Sequence, residues 1–263
     1  MQSIVQKVYY ADDTLLKKPH FHDCHQIILI LKGKAELQVN GKALTAKSGD
    51  IVIFSRYENH SVTIRSAEYE RYVLHIDPNV VNRKSPVYSL LTDRPIGFCN
   101  IINISGESAD IEGIFKKILF EHSGTSKLAD EMEQLLVKQL LITVYRCSSL
   151  NFDNAYDDVV AGIKRQFENS CYEQYSLDML SKQYNISTSS LSHRFQAATG
   201  VSVMGFLQSC RMANAKQMLA ETNYSIGEII EKCGFSDNSN FSRTFKKLTG
   251  LSPSDFRKKY KAE

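Results

Sequence analysis

The feature of this sequence that most restricts its fold is an internal repeat in the last hundred or so residues. Segment 176–187 (SLDMLSKQYNIS) precedes the similar segment 225–236 (SIGEIIEKCGFS) by 49 residues, and segment 190–206 precedes 240–256 by 50. The identical pairs include Ser192/Ser242, Phe195/Phe245, Thr199/Thr249, Gly200/Gly250, Ser202/Ser252 and Phe206/Phe256. Because both copies must form the same local unit, the repeat determines the architecture of this part of the chain.

Each copy of the repeat predicts a helix, a tight turn and a second helix. The turns fall at 185–187 and 233–235, and a glycine follows the second helix of each copy. In the second copy, Ser236 or Asp237 is the expected N-cap of that helix. This is the helix-turn-helix unit, whose second helix enters the major groove of DNA. We predict two such units, at 177–200 and 226–250.

Helical spacing separates a buried face from an outward face on each second helix. The predicted core positions are Leu191, Phe195 and Ala198 in the first copy and Phe241, Phe245 and Leu248 in the second. The outward faces supply the predicted DNA-binding residues, which are Ser189, Ser190, Ser192, His193, Gln196, Asn238, Ser239, Asn240, Ser242, Arg243, Lys246 and Lys247. An Asn or Arg side chain can form two hydrogen bonds to one base edge, whereas the lysines suit phosphate contacts. The alternative interpretation of each face is an ordinary solvated helix surface.

Composition favours a cytoplasmic DNA-binding protein. Residues 160–263 hold 14 basic and 9 acidic side chains, whereas residues 1–159 hold 18 and 20. The basic part is compatible with nucleic-acid binding. No segment approaches the roughly 18 apolar residues of a membrane span, and Asp12 and Asp13 lie where a signal peptide would be apolar. The six cysteines form no C-x-x-C pair, which indicates reduced thiols and neither disulfides nor a zinc finger.

The C-terminal segments 211–219 (RMANAKQML) and 225–257 resemble the signature of the AraC/XylS family of bacterial transcription regulators. The residues that carry this resemblance include Gly234-Phe235, Ser239, Phe241-Ser242, Phe245-Lys246-Lys247, Gly250, Ser252-Pro253 and Arg257. It covers roughly residues 160–260. The resemblance implies that 203–219, with Arg211 and Ala215 at matching positions, forms a long helix that joins the two units and sets both second helices on one face of the DNA.

The first half of the chain predicts a small β-barrel followed by helices. Short apolar or alternating runs occupy 26–76, and Asn40-Gly41 is a strong hairpin signal. Amphipathic helices are expected at 111–123 and 129–147. The second has a main stripe at helical spacing, formed by Met132, Leu135, Leu136, Gln139, Leu140 and Val144. Val137 and Leu141 are apolar as well but lie beside this stripe, further round the helix. They predict a second buried face, either inside the domain or in a homodimer through 129–147.

The segment HFHDCHQ (20–26), together with Gly33, Gly49-Asp50 and His60, resembles the two cupin motifs found at the front of many AraC-family regulators. His20, His22 and His60 match the metal-binding histidines of cupins, but Gln26 takes the place of the carboxylate. Three interpretations remain open: an effector pocket, a zinc or iron site, and structural histidines. We predict the effector pocket, formed by His20, His22, Gln26, Tyr57 and His60, with Asp23 and His25 at its edge and no metal or cofactor.

The sequence thus predicts an α+β two-domain protein. An N-terminal cupin-like β-barrel with packing or dimerisation helices (1–150) is followed by a linker (151–159) and by an all-α DNA-binding domain with two helix-turn-helix units (160–263). Its expected function is effector-responsive, sequence-specific transcription regulation, as an activator by the family's habit. The expected partners are promoter DNA, a small-molecule effector, RNA polymerase and a second copy, but no membrane. The rival hypothesis is a cupin metalloenzyme fused to a DNA-binding domain, although no catalytic arrangement is visible.

Overall fold

The computed structural model describes residues 4–13, 17–78, 80–82, 85–94, 98–104, 106–148 and 157–261. The chain divides into two units, Met1–Tyr156 and Asp157–Glu263. The first unit is rich in strands and the second is helical. Most of the predicted linker, 151–156, lies outside the described residues; Asp157 is the N-cap of a helix that begins at Asp158.

Two sheets form the barrel of the first unit. The strands are β1 (Val5–Ala11), β2 (Lys17–His20), β3 (His25–Lys32), β4 (Lys34–Val39), β5 (Lys42–Lys47), β6 (Asp50–Phe54), β7 (His60–Ile64), β8 (Glu70–Ile76) and β9 (Ile101–Asn103). One sheet has the order β1-β8-β3-β6-β9 and the other β2-β7-β4-β5, with all neighbours antiparallel. The Asn40-Gly41 hairpin is confirmed, since both residues have the positive φ angles, 50° and 81°, that its turn demands.

The sequence QIILILK of β3 is apolar almost throughout because both faces of this strand are buried. Its residues alternate between two cores, because its sheet is covered on both faces. Ile28 and Ile30 pack between the two sheets, in a core with Leu37 of β4. Ile27 and Leu29 face the other way and pack with apolar side chains of the helices. The helices therefore cover one face of the five-stranded sheet, β1-β8-β3-β6-β9, which we call the outer sheet.

The described residues of the first unit also form three helices: α1 (Tyr88–Leu91), α2 (Ser108–Ser123) and α3 (Ala129–Cys147). The expected packing of α3 is wrong in detail. Leu136, Leu140 and Val144 are buried as predicted. Val137 and Leu141 are buried too, which confirms the predicted second buried face and places it inside the first unit. The face towards the core is therefore centred on these five residues. The prediction is wrong for Met132, Leu135 and Gln139, which were also expected on the buried stripe and are exposed.

The second unit consists of seven helices in the described residues. They are α4 (Asp158–Ser170), α5 (Leu177–Gln183), α6 (Thr188–Thr199), α7 (Val203–Glu221), α8 (Ile226–Lys232), α9 (Asn238–Thr249) and α10 (Pro253–Tyr260). Ser or Asp side chains accept backbone N–H groups at the N-cap of every one of these helices. Among the helices of the described residues, none combines the length and the apolar character that a membrane span requires.

Candidate functional site

The helix α6 presents a polar surface because two side chains anchor its other face. Leu191 and Phe195 are completely buried. The hydroxyl of Ser187 caps the helix by accepting the N–H of Ser190 at 3.1 Å. The prediction that Ala198 belongs to this core is wrong, since Ala198 is exposed. Ala198 shares the angular position of Leu191 but lies about 10 Å further along the helix axis, beyond the core, and its methyl is short.

The helix α9 is anchored in the same way, but with aromatic rings. Phe241 and Phe245 are completely buried. Phe241 packs on Phe235 of the preceding turn, with ring centroids 5.1 Å apart, and Phe245 packs on Phe256 of α10 at 5.3 Å. Leu248 is only half-buried. Of the two predicted N-caps, Asp237 performs the role, and its side chain accepts the N–H groups of Ser239 and Asn240.

The predicted DNA-binding residues lie on these two helices, and the structure shows which of them are exposed. On α6 the exposed ones are Ser189, Ser190, His193 and Gln196, and on α9 they are Asn238, Ser239, Asn240, Arg243, Lys246 and Lys247. Ser192 and Ser242 are half-buried. Two of the α6 side chains donate within the chain: the Ser192 hydroxyl to Thr188 O at 2.8 Å and the Gln196 amide to Gly200 O at 2.6 Å. The outward face of α9 is the more strongly charged of the two.

A bidentate ion pair fixes α6 to the start of the unit. Arg194 donates from Nε to Asp157 Oδ2 and from Nη2 to Asp157 Oδ1, both at 2.6 Å. The same carboxylate accepts the N–H groups of Val159 and Val160 as the N-cap of α4. Burial alone would raise the pKa of Asp157, but these hydrogen bonds outweigh burial and hold the pKa below its ordinary value of 3.8. Arg194 thus fixes the position of α6 relative to the start of α4.

Arg211, which the family resemblance singled out, ties the segment that precedes the first repeat to the turn of the second repeat. From α7 its Nε donates to Cys171 O at 2.7 Å and its Nη2 donates to Glu173 O at 2.6 Å. Its guanidinium also lies 5.8 Å from the ring centre of Phe235, in the second turn. Gly234 sits at the same junction with φ of +77°, where a Cβ would come within 2.4 Å of Tyr172 O. Only glycine allows so close an approach.

Histidines cluster at one edge of the barrel in the first unit. His20, His22 and His60 have potential metal-ligand atoms that all lie within 4.8 Å of one another. The ring centres of His22 and His75 are 4.7 Å apart, and Phe54 stacks on His60 at 3.8 Å. Ligand nitrogens around a tetrahedral zinc ion are roughly 3.4 Å apart, so the three rings would have to move closer to hold one.

Gln26, in the carboxylate position of the cupin motif, is engaged with His75. Its amide nitrogen lies 2.9 Å from His75 Nε2, and Cys24 Sγ lies 3.3 Å from His75 Nδ1. Burial raises the pKa of the Cys24 thiol to about 12, so it stays neutral. The cavity that Gln26 and His60 share has a volume of only about 20 Å³, enough for a single water molecule. Tyr57 is buried, and its N–H donates to His22 O at 2.8 Å.

Two stretches of the chain match known domain families. Residues 4–92 match the family described as AraC-like ligand binding domain. Residues 180–259 match the family described as Helix-turn-helix domain, and this stretch contains both α6 and α9. The chain belongs to the AraC family of transcription regulators. The predicted family, fold class and role as a DNA-binding regulator are therefore confirmed.

Curated relatives share this AraC-family architecture along nearly their whole length. The HTH-type transcriptional activator RhaS of Salmonella paratyphi A (strain ATCC 9150 / SARB42) is 23% identical over 241 residues, which cover 90% of this chain and 86% of RhaS. The HTH-type transcriptional activator RhaR of Salmonella schwarzengrund (strain CVM19633) is 22% identical over 262 residues, or 97% and 92% of the two chains. Both relatives are named as regulators, which gives no support to the rival enzyme hypothesis.

A solved structure has the same two-domain fold. ToxT from Vibrio cholerae, in a P21 crystal form, aligns with a TM-score of 0.65 and 16% identity, covering 99% of this chain and all of ToxT.

The sequence analysis missed two groups of interacting side chains inside this fold. It overlooked the Arg194–Asp157 pair, which is 37 residues apart in sequence, and it overlooked His75, which stands on β8 away from the H-F-H motif. Neither pairing has a local sequence signal.

Proposed function

We propose that this AraC-family chain is an effector-responsive activator that binds promoter DNA through α6 and α9. The observation that carries the proposal is the doubled arrangement of a capped helix, a buried anchoring face and an exposed polar face. Such a helix can enter the major groove without losing core contacts. The curated relatives named as activators support the sign of regulation. A regulator of this kind acts where promoter DNA is, in the cytoplasm.

The two recognition helices would contribute unequally to sequence preference. Arg243 can form two hydrogen bonds to the edge of a guanine, and Asn238 and Asn240, on the first turn of α9, can do the same with an adenine. Lys246 and Lys247 lie one turn later, where phosphate contacts position the helix without selecting sequence. On α6 the corresponding face carries mainly hydroxyls, and the Gln196 amide donates to Gly200 O. We therefore expect the stronger base preference at the half-site bound by α9.

We further propose that the chain forms a homodimer through α3. Leu128, Met132, Leu135 and Ile142 are 62%, 42%, 62% and 43% exposed and form one apolar stripe on this helix. Their spacing of four, three and seven residues follows a heptad pattern, which favours a second helix as the covering partner. A second copy of the chain supplies the same stripe by two-fold symmetry. Leu135→Lys should then abolish dimers in sedimentation, whereas the exposed Lys117→Ala on α2 should not.

The proposed function is tested by selecting sequences from random duplex DNA with the full chain. We expect one enriched sequence with two half-sites. Gel shifts on that sequence should show about 5- to 150-fold weaker binding for Arg243→Ala, and unchanged binding for Lys117→Ala, which lies in the other unit. Failure to enrich any sequence would contradict specific DNA binding. Reporter transcription that rises when the chain and RNA polymerase are both present would test activation, and repression would contradict it.

A further inference from the structure

The second unit contains a single histidine, and it lies on the outward face of α6. Among residues 157–263 only position 193 is a histidine. His193 is exposed, two residues after the buried Leu191 and two before the buried Phe195. Since an α-helix turns by about 100° per residue, His193 points about 160° away from both of these anchors. It therefore lies at the centre of the face that α6 can offer to DNA.

The repeat gives His193 the position on α6 that Arg243 has on α9. The two residues are 50 positions apart, which is the offset between the second helices of the two copies. Arg243 has the same relation to the buried Phe241 and Phe245, and it is exposed as well. An arginine keeps its positive charge, whereas a histidine side chain changes its charge between pH 5 and 8. The same position thus carries a permanent cation on one helix and a titratable group on the other.

The other long polar side chains of α6 are engaged within the chain. Arg194 is held by Asp157 in the bidentate ion pair. The Gln196 amide and the Ser192 hydroxyl donate to backbone carbonyl groups at the end and the start of the same helix. The exposed polar groups of the first turn are short serine hydroxyls. His193 is therefore the side chain of α6 best able to reach into a groove.

The two protonation states of an imidazole suit different bases. A protonated ring donates from both nitrogens and accepts nothing, whereas a neutral ring donates from one nitrogen and accepts at the other. In the major groove guanine presents two acceptors, N7 and O6, while adenine and cytosine each present an amino group that donates. A protonated imidazole therefore favours guanine, and a neutral one can accept from an amino group instead.

Charges of both signs surround α6 in the free chain, whereas DNA brings charges of one sign. The helices α4, α5 and α7 pack against α6. Besides Asp157 in its ion pair, their charged side chains are Asp158, Lys164, Arg165 and Glu168 of α4, Asp178 and Lys182 of α5, and Arg211, Lys216 and Glu221 of α7. DNA phosphates are all negative, and a negative neighbour favours the protonated form of an imidazole. Binding of DNA then takes up a proton, so affinity rises as the pH falls.

We propose that His193 makes base selection by α6 depend on pH: protonated His193 binds a guanine, and neutral His193 loses that preference. The proposal rests on the proposed function, since it assigns a regulation of the same DNA-binding surface. The proton acts on α6 directly, independently of any effector that the first unit binds. The half-site of α9 keeps its base preference at every pH, because Arg243 stays charged.

The test measures the affinity of the full chain for DNA selected at pH 6, at pH 6 and at pH 8 and at constant ionic strength. We expect about tenfold tighter binding at pH 6, the effect of one charge-assisted hydrogen bond. Replacing one guanine of the α6 half-site should remove this gain. His193→Gln should bind equally at both pH values, and His193→Arg should bind at both as tightly as the parent does at pH 6. His122→Gln, in the other unit, is the matched control and should keep the pH dependence of the parent.

Three results would overturn the proposal. One is an affinity and a base preference that are the same at pH 6 and pH 8. Another is a pH dependence that survives in His193→Gln, since the proton would then bind elsewhere. The third is tighter binding at pH 6 without a preference for guanine, which would place His193 at a phosphate. DNA selection also tests the proposed function separately. An enriched sequence with pH-independent affinity refutes this inference alone, whereas no enriched sequence at either pH refutes the proposed function.

Discussion

Asp157 stabilises the second unit in two ways that can be separated by substitution. As the N-cap of α4 it accepts the N–H groups of Val159 and Val160 at 3.1 and 3.2 Å, a contribution of about 1 kcal/mol. Its bidentate pair with Arg194 adds about 1 kcal/mol, since the Arg194 side chain is 38% exposed and partly screened. Asp157→Ala should therefore cost about 2 kcal/mol, and Asp157→Asn, which keeps the cap, about 1 kcal/mol.

Calorimetry on the full chain can measure these costs if the transition of the second unit is identified by its upward shift when DNA is added. Asp157→Ala should lower that transition by about 8–15 °C and Asp157→Asn by about half as much. Because the pKa of Asp157 lies below its ordinary value of 3.8, the stabilisation is complete above that pH and disappears as the pH falls through the lowered pKa. The gap between Asp157→Asn and the parent should close accordingly in acid.

Two results would refute this account of Asp157. Equal losses in Asp157→Ala and Asp157→Asn would mean that the cap contributes nothing. The double variant of Asp157→Asn with Arg194→Gln should lose about 1 kcal/mol less than the sum of the single variants. Strict additivity would show that the ion pair is not formed in solution.

Three further predictions concern the separate parts of the chain. The fragment 156–263 should fold and bind DNA at low salt, because it contains both recognition helices and their cores. A folded fragment without DNA affinity would show that the first unit supplies essential contacts. Arg243→Ala should weaken binding to the best DNA site by about 1–3 kcal/mol and relax the preference at one base pair. Lys246→Ala should weaken binding to all sequences alike and lower the salt dependence of binding by about one counterion. Affinities for a panel of single-base operator variants at several salt concentrations separate the two effects. Purified chain should carry no stoichiometric metal because Gln26 brings no charge; a metal-to-protein ratio near one that His20→Ala removes would overturn this.

Local patterns in the sequence were enough to predict the two helices that we propose bind DNA. Both recognition helices begin at a capping residue and end before a glycine, and their apolar residues recur at helical spacing, so each boundary has a signal within a few residues. The hairpin at Asn40-Gly41 was predictable for the same reason, since its turn depends on two adjacent residue types. These elements could be predicted because each depends on residues that are neighbours in the sequence.

Other parts depended on contacts between distant segments. The pattern of α3 has apolar residues around much of the helix, and only the position of the outer sheet decides that Val137 is buried while Leu135 is exposed. The small free volume around Gln26 follows from how Phe54 and His60 stack across strands, which no motif encodes.

The contacts of Arg211 have a consequence for promoter sequences. The helix α7, with 19 residues, is about 28 Å long, and Arg211 ties to it both the segment before α5 and the turn before α9. We therefore expect the distance between α6 and α9 to be fixed. Successive major grooves on one face of DNA are about 34 Å apart. Inserting or deleting a few base pairs between the half-sites rotates one of them away from its helix, and a continuous helix such as α7 cannot lengthen to compensate. Spacing between half-sites should therefore tolerate less variation than the bases themselves.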